Sequence, residues 1–316
     1  MDKQDIDLIS SYWSVPSHIT GFFQIIIDPN PLIKGSKGAG LSLDIPIITQ
    51  VKICTSENAS IIVFFNDEKI EGDVSRTVAM NFNEELEDRD VIISHFSLFP
   101  IGGGFGTSGA GALGTAFALN ELFQKFNDQI YLGQLAHLAE VQCGTGLGDV
   151  ISQFHGGAEI REKNGAPGIG ILKKMNWNPN LYVLTAYLNS ISTKSIITSD
   201  EHITNINTVS SDLLDILLAS PDEKTFMDLT EIFSQKTNLI PNSIKPLLEK
   251  LSLSGYNPRM IMIGGSIFVL GNIDELKKCK KVIEKIEPKA KIWICKIAFT
   301  GPSALPKDYD ISKFKT

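Results

Sequence analysis

Three stretches combine residue types that can do chemistry. The first, PIGGGFGTSGAGALGTAFALN at 100–120, holds seven glycines, with Thr107 and Ser108 directly before an apolar run. It follows the β-type run VIISHFSLF at 91–99, and the apolar run after it has helical spacing from about 109 to 125. Backbone N–H groups at a helix start point outward with partial positive charge, and glycines let the chain approach a phosphate closely. The stretch is therefore a phosphate-cradle candidate. It holds no lysine, which excludes the Walker A pattern. Gly104, Gly106 and Gly109 also match the G-x-G-x-x-G spacing of dinucleotide-binding loops, with Asp128 about 20 positions on, in a turn-like FND after a helix. A glycine turn that serves packing alone is a further option, although it has no need of Thr107 and Ser108.

The second stretch, AHLAEVQCGTGLGDV at 136–150, holds His137 and Glu140 three apart on a predicted helix over 130–142, so they share a face. Asp149 follows a Gly-Thr-Gly-Leu-Gly turn. A phosphoryl transferase needs oxygen ligands for a hard cation and a group that positions the attacking hydroxyl; Glu140 and Asp149 are the candidates. The plainer readings are a solvated charge for Glu140, a helix cap for Asp149 and a structural histidine for His137. The third stretch, GGAEIREKNGAPG at 156–168, carries Arg161, whose fork suits a carboxylate and which could also be a surface charge.

These residues need a scaffold. GFFQIII (21–27), SIIVFF (60–65) and VIISHFSLF (91–99) read as strands, and GSKGAG (35–40) as a second glycine-rich turn with Ser36 and Lys37. Beyond about 172 glycine thins out. Strands are predicted at 181–188, 260–270 and 291–298, and helices at about 203–219, 241–254 and 272–286. Another helix starts at Ser220-Pro221-Asp222-Glu223, with Ser220 as the cap. This is an α+β pattern with helices on one face of a sheet. Two units follow, 1–175 and 176–316, divided in KKMNWN at 173–178.

Composition narrows the class. A chain of 316 residues exceeds one ordinary core. The net charge of −7 argues against a nucleic-acid partner. Cys54, Cys143, Cys279 and Cys295 form no C-x-x-C pair, so they predict free thiols in a reducing compartment. MDKQDIDLIS has no signal-peptide core, and no apolar run reaches the ~18 residues of a membrane span. A cytoplasmic protein without a membrane partner is the expectation. The oligomeric state stays open, a homodimer being one option.

The glycine loop resembles the phosphate loop of the GHMP kinases, P-x-x-x-G-L-G-S-S-A-A, with Phe105 for Leu, Thr107-Ser108 for Ser-Ser and Gly109-Ala110 for Ala-Ala. Glu140 and Asp149 match, in order and type, that superfamily's helical Mg²⁺ ligand and the Asp of its G-x-x-S-G-x-D turn, with Leu147-Gly148 replacing Ser-Gly. Together with SVPSHITGFF (14–23), GSKGAG and GGAEIREKNGAPG, they resemble the archaeal pantoate kinase branch over 14–172. MIGGSIFVL (262–270) stands at the third glycine motif without its usual form, and TGPSAL (300–305) is a candidate return towards the site. The N-terminal lysine of several members has no counterpart, Lys3 being too far upstream.

The resemblance implies a two-domain α+β GHMP kinase fold: a ribosomal-S5-like N-terminal domain, a ferredoxin-like C-terminal domain and a site between them. It implies phosphorylation of pantoate by ATP with Mg²⁺, an early step of coenzyme A synthesis; a GHMP-type kinase for another small hydroxy acid or alcohol, such as mevalonate or homoserine, and a non-catalytic nucleotide-binding protein are the alternatives. It also implies the roles. Gly103, Gly104, Phe105, Gly106, Thr107, Ser108 and Gly109 bind the phosphates. Ser108 and Glu140 hold Mg²⁺. Asp149 orients the hydroxyl, and Arg161, His137 and Ser36 bind the substrate.

Overall fold

The computed structural model describes residues 6–56, 59–191 and 199–314; Lys3 lies outside the described residues. Strands β1 (Leu8–Ile9), β2 (Tyr12–Ile26), β3 (Gly35–Thr55), β4 (Ile61–Phe65) and β5 (Glu68–Ile70) come first. Then come helix α1 (Asp73–Ala79), strand β6 (Arg89–Phe96) and helices α2 (Thr107–Phe123), α3 (Gln129–Cys143) and α4 (Asp149–His155). Strands β7 (Ala158–Lys163), β8 (Ile171–Lys174) and β9 (Tyr182–Asn189) follow. Helices α5 (Asp200–Ser210), α6 (Leu213–Ala219), α7 (Glu223–Thr237) and α8 (Lys245–Leu253) lead to β10 (Pro258–Met260) and β11 (Gly265–Gly271). Helix α9 (Ile273–Ile286), β12 (Lys291–Cys295) and β13 (Ser303–Leu305) complete the order.

β2 and β3 are the spine of a nine-stranded sheet ordered β13-β2-β3-β6-β4-β5, with β7 pairing the first part of β3 and β8 beyond it. GSKGAG is therefore strand and not turn. Its glycines make room: a Cβ at Gly40 would fall 2.7 Å from His18 Cε1, and Gly38 has φ 138°. Helix α2 packs on β2 and β3 through Ala110, Leu113, Ala116 and Phe117, all buried. Its small residues bring it close enough that a Cβ at Gly111 would touch the His95 ring.

The second sheet is antiparallel, ordered β10-β11-β9-β12. In chain order its elements run strand, helices, strand, strand, helix, strand. From the β12 edge the strands lie 4-1-3-2, the split β-α-β arrangement of ferredoxin-like folds. Buried Leu247, Leu251, Leu276, Cys279 and Ile283 of α8 and α9 cover it. Helices α5 and α7 join the two halves. Asn207 of α5 donates to the Ile25 carbonyl and accepts from its N–H (2.9 and 2.8 Å), and Phe233 of α7 meets the Phe23 ring at 5.4 Å. One core runs through Phe22, Phe99, Phe105, Phe226 and Phe268, drawn from both sheets.

Several boundaries moved for identifiable reasons. The span 203–219 is two helices. The 260–270 run is a hairpin, β10 and β11, whose turn holds Ile263 at φ 55°. The cap before α7 is Asp222, which accepts from Thr225 N at 2.8 Å, while Ser220 is the C-cap of α6, its N–H on Ile216 O, and donates its hydroxyl to Asp222. Short α1 and α4 escaped a periodicity reading, which needs longer windows. TGPSAL supplies β13, which pairs with β2 from Ser303↔Ser14 to Leu305↔Tyr12, and Phe314 is buried with Tyr12, Ile48 and Phe96.

Candidate active site

The glycine loop is held by its carbonyls. Gly103 O accepts from Ser266 Oγ (2.7 Å), Phe105 O from His18 N (3.0 Å) and Gly106 O from Gln153 Nε2 (2.8 Å). Gly102, Gly104 and Gly106 take φ of 76°, 88° and 63°, a region costly for any residue with a Cβ. At Gly104 a Cβ would also come within 3.0 Å of Gly264 Cα in the β10–β11 turn. The Phe105 ring stacks on Phe99 at 3.9 Å, with Trp293 edge-on, and pins the loop from below. Gly106 caps α2 with no side-chain bond, so the first N–H groups of α2 have no side-chain partner at the cap. The result is an anion-binding concavity over a cavity of about 410 Å³.

The cavity wall brings together Gly104 to Ser108, Ser36, Asp149 and Arg161. Gly103 and Gly109 stand behind it. Gly109 lets α4 approach, since a Cβ there would lie 2.8 Å from Gln153 Oε1 and 3.3 Å from Asp149 Cβ. Glu140 lies behind Gly146, 2% exposed. Its Oε1 accepts from Thr145 Oγ1 at 2.7 Å, while Oε2 is buried without a partner. Burial pushes its carboxyl up to about 7; Thr145 and Ser108 oppose the shift and the charge of Asp149 adds to it.

Asp149 is the first residue of α4. Its Oδ1 sits 2.9 Å from His18 Nδ1, and the side chain is 27% exposed to the cavity. Burial would raise its carboxyl, but the hydrogen bond and charge of His18, with the charge of Arg161, hold it below the usual carboxylate value. His18 Nε2 reaches Glu159 Oε1 at 2.9 Å, and that oxygen also accepts from Arg161 Nη1 at 2.6 Å and Ser152 Oγ at 2.9 Å. Arg161 is buried with its Nε unpartnered. A Cβ at Gly148 would fall 2.9 Å from that Nε and would overlap Ser36 Oγ, so the two donors flank one small opening.

His137 departs from its expected place. It does not line the cavity, and its Nε2 lies 3.1 and 2.9 Å from the carbonyls of Pro31 and Lys34. It braces the turn that leads into Ser36. The sequence reading missed His18, Glu159, Gln153 and Asp73, the last lining the cavity from the start of α1. A signal existed for one of them. Glu159 and Arg161 are two apart on β7 and share a face. His18 gave none, because β2 is buried throughout residues 15–19. Asp73 and Gln153 had none, because each sits on a short helix. The cysteines are free, and burial pushes Cys279 up to about 12, too high for a nucleophile. Among the described residues no helix is long and apolar enough to cross a membrane.

A family model described as GHMP kinases N terminal domain matches residues 74–157. The pantoate kinase of Thermococcus kodakarensis is 35% identical over 85% of this chain and 90% of its own length. That of Methanocaldococcus jannaschii is 34% identical over 85% of this chain and 96% of its own. A solved structure described as a phosphotransferase related to the CoA biosynthesis pathway superposes with a TM-score of 0.85 at 30% identity, covering 96% of this chain and all of that one. With identities of 30% and above over nearly whole lengths, this chain belongs to the pantoate kinase family of the GHMP kinases.

Proposed function

We propose that this protein transfers the γ-phosphoryl group of ATP to the hydroxyl of pantoate, giving ADP and 4-phosphopantoate. One observation carries the reading. The anion-binding helix start, the acceptor Asp149, Ser36 and Arg161 line one cavity, and Arg161 Nε is buried beside it without a partner. That set suits a substrate with a hydroxyl at one end and a carboxylate at the other.

Ordered along the cavity, the roles are as follows. The N–H groups at the start of α2, from Thr107 to Gly109, receive the phosphates, and the loop glycines allow the approach. Arg161 keeps Nη1 on Glu159 and offers Nε, with Ser36, to the substrate carboxylate. His137 acts through the turn before Ser36. Asp149 accepts the hydroxyl hydrogen bond and aims the oxygen at phosphorus. Most of the rate then comes from positioning and from neutralised charge.

The residues fit Mg²⁺. The orphaned, buried Oε2 of Glu140 beside Ser108 is a hard-oxygen site lacking its counter-charge. Among the described residues no group of three or more His, Cys, Asp or Glu could hold a metal alone, so the nucleotide phosphates would complete the ligand set. Bound there, Mg²⁺ would offset charge on the phosphate oxygens. We also take 1–175 and 176–316 as two units, with 303–314 joined to the first.

ADP release from Mg·ATP with pantoate, pantothenate, mevalonate and homoserine tests the reading. Release with pantoate is the expected result. Release with another acceptor alone would move the substrate, and no release with any would refute a kinase of this class.

A further inference from the structure

The ring of His18, fully buried, lies between two carboxylates: Nδ1 is 2.9 Å from Asp149 Oδ1 and Nε2 is 2.9 Å from Glu159 Oε1. A neutral imidazole has one N–H and cannot donate to both. One extra proton must sit on the ring or on an acid. Glu159 Oε1 meets two further donors, Ser152 Oγ and Arg161 Nη1, the latter as an ion pair at 2.6 Å, while Oε2 is buried without a hydrogen-bond partner. Between His18 and Asp149, the ring is the stronger base by about 2 to 3 pK units in water. Burial alone would favour a neutral ring; the charge of Glu159 and the bonds to both acids outweigh it and hold His18 above its usual value.

The charged groups facing this ring are Asp149 from α4 and Glu159 with Arg161 from β7; Glu140 of α3 acts on Asp149 from further off. Asp149, His18, Glu159 and Arg161 alternate in sign and sum to zero, which lowers the cost of burying them. Gly40 leaves the ring its space.

We propose that His18 is a permanently protonated imidazolium that positions Asp149, tying up Oδ1 so that Oδ2 is left for the substrate hydroxyl. The inference rests on the kinase reading above. It decides what Asp149 does. A ring already carrying two protons cannot take a third, so no relay leads from Asp149 to Glu159. The hydroxyl oxygen attacks the γ-phosphorus, the bond from phosphorus to the ADP oxygen breaks with its electron pair leaving on ADP, and the hydroxyl proton passes to Asp149 Oδ2 as the new bond forms. A loose transition state asks for little prior deprotonation, so an orienting anion suffices.

The test begins with ¹⁵N-histidine NMR of the wild-type protein, which has five histidines. The His18 signals, assigned by their loss in His18→Gln, should show both ring nitrogens protonated and unchanged from pH 6 to 9. One unprotonated ring nitrogen at neutral pH overturns the proposal. In kinetics, His18→Gln should lower kcat about 100-fold or more while KM for ATP stays within threefold. His18→Lys, which keeps the charge, should recover at least tenfold of that loss. A kcat for His18→Gln within threefold of wild type also overturns it. Should His18→Gln not fold, assignment passes to His18→Lys and the wild-type spectrum decides. A doubly protonated ring in a protein that phosphorylates none of the panel would sink the kinase reading and leave the clamp standing.

Discussion

Gly146→Ala acts first on the orphaned oxygen of Glu140. Gly146 does not need a positive φ, so alanine meets no backbone strain. The added Cβ would lie 3.2 Å from Glu140 Cδ and 3.3 Å from Asp149 Oδ2, and would overlap Glu140 Oε2 outright. Restoring contact distance requires Oε2 to retreat by about 1 Å. The atom is the end of a side chain and Oε1 is held by Thr145, so the carboxylate swings and the fold stays. Off-rotamer strain of this kind costs about 1 kcal/mol. Displacing a catalytic group by about 1 Å costs about 100-fold in rate. The variant should therefore keep its fold and its nucleotide, lose about two orders of magnitude in kcat, and need more Mg²⁺ for half-maximal rate. ADP release at saturating ATP and pantoate, titrated with Mg²⁺, reads all of this. A wild-type kcat with an unshifted Mg²⁺ midpoint would refute the assignment of Oε2 to the cation.

Three further outcomes are expected. Folded Glu140 keeps its proton up to about pH 7, whereas the unfolded chain releases it near 4.5; without Mg²⁺, stability therefore falls as pH rises through that window. Glu140→Gln should remove this loss, on the order of 3 kcal/mol, so its Tm should exceed wild type at pH 8 but not at pH 4, with turnover abolished. Gly148→Ala places a Cβ 2.9 Å from Arg161 Nε and should raise KM for pantoate about tenfold or more, with KM for ATP unchanged in steady-state assays. Asp149→Asn keeps the shape but not the anion; kcat should drop by orders of magnitude while calorimetry still shows ATP binding.

What could be read from the sequence is what local chemistry signals. The glycine loop was legible because backbone donors need no side chains and the helix behind it is long. Glu140 and Asp149 were legible by residue type around a glycine turn. Ser36 was placed correctly beside Arg161 but on the wrong element, because GSKGAG has the composition of a turn. Its glycines answer to tertiary crowding by Phe22 and His18, which no window of the sequence contains. His18 and Glu159 are 141 residues apart, so a bond between them leaves no local trace. His137 was misplaced because a shared helix face with Glu140 says nothing about depth. Ile263 at positive φ was invisible for a similar reason: the turn is shaped by the loop it presses on.

Strand β13 pairs with β2, near the opposite end of the described chain, and Phe314 seals the same edge. During synthesis the first sheet therefore waits for a segment 289 residues downstream of Ser14 before that edge closes. Until then β2, the strand that carries His18, has a bare flank open to pairing with other chains. A contact this distant in sequence is slow to form and easily lost. Clipping off β13 and Phe314 should thus weaken an element more than two hundred residues upstream, and with it the hold of His18 on Asp149.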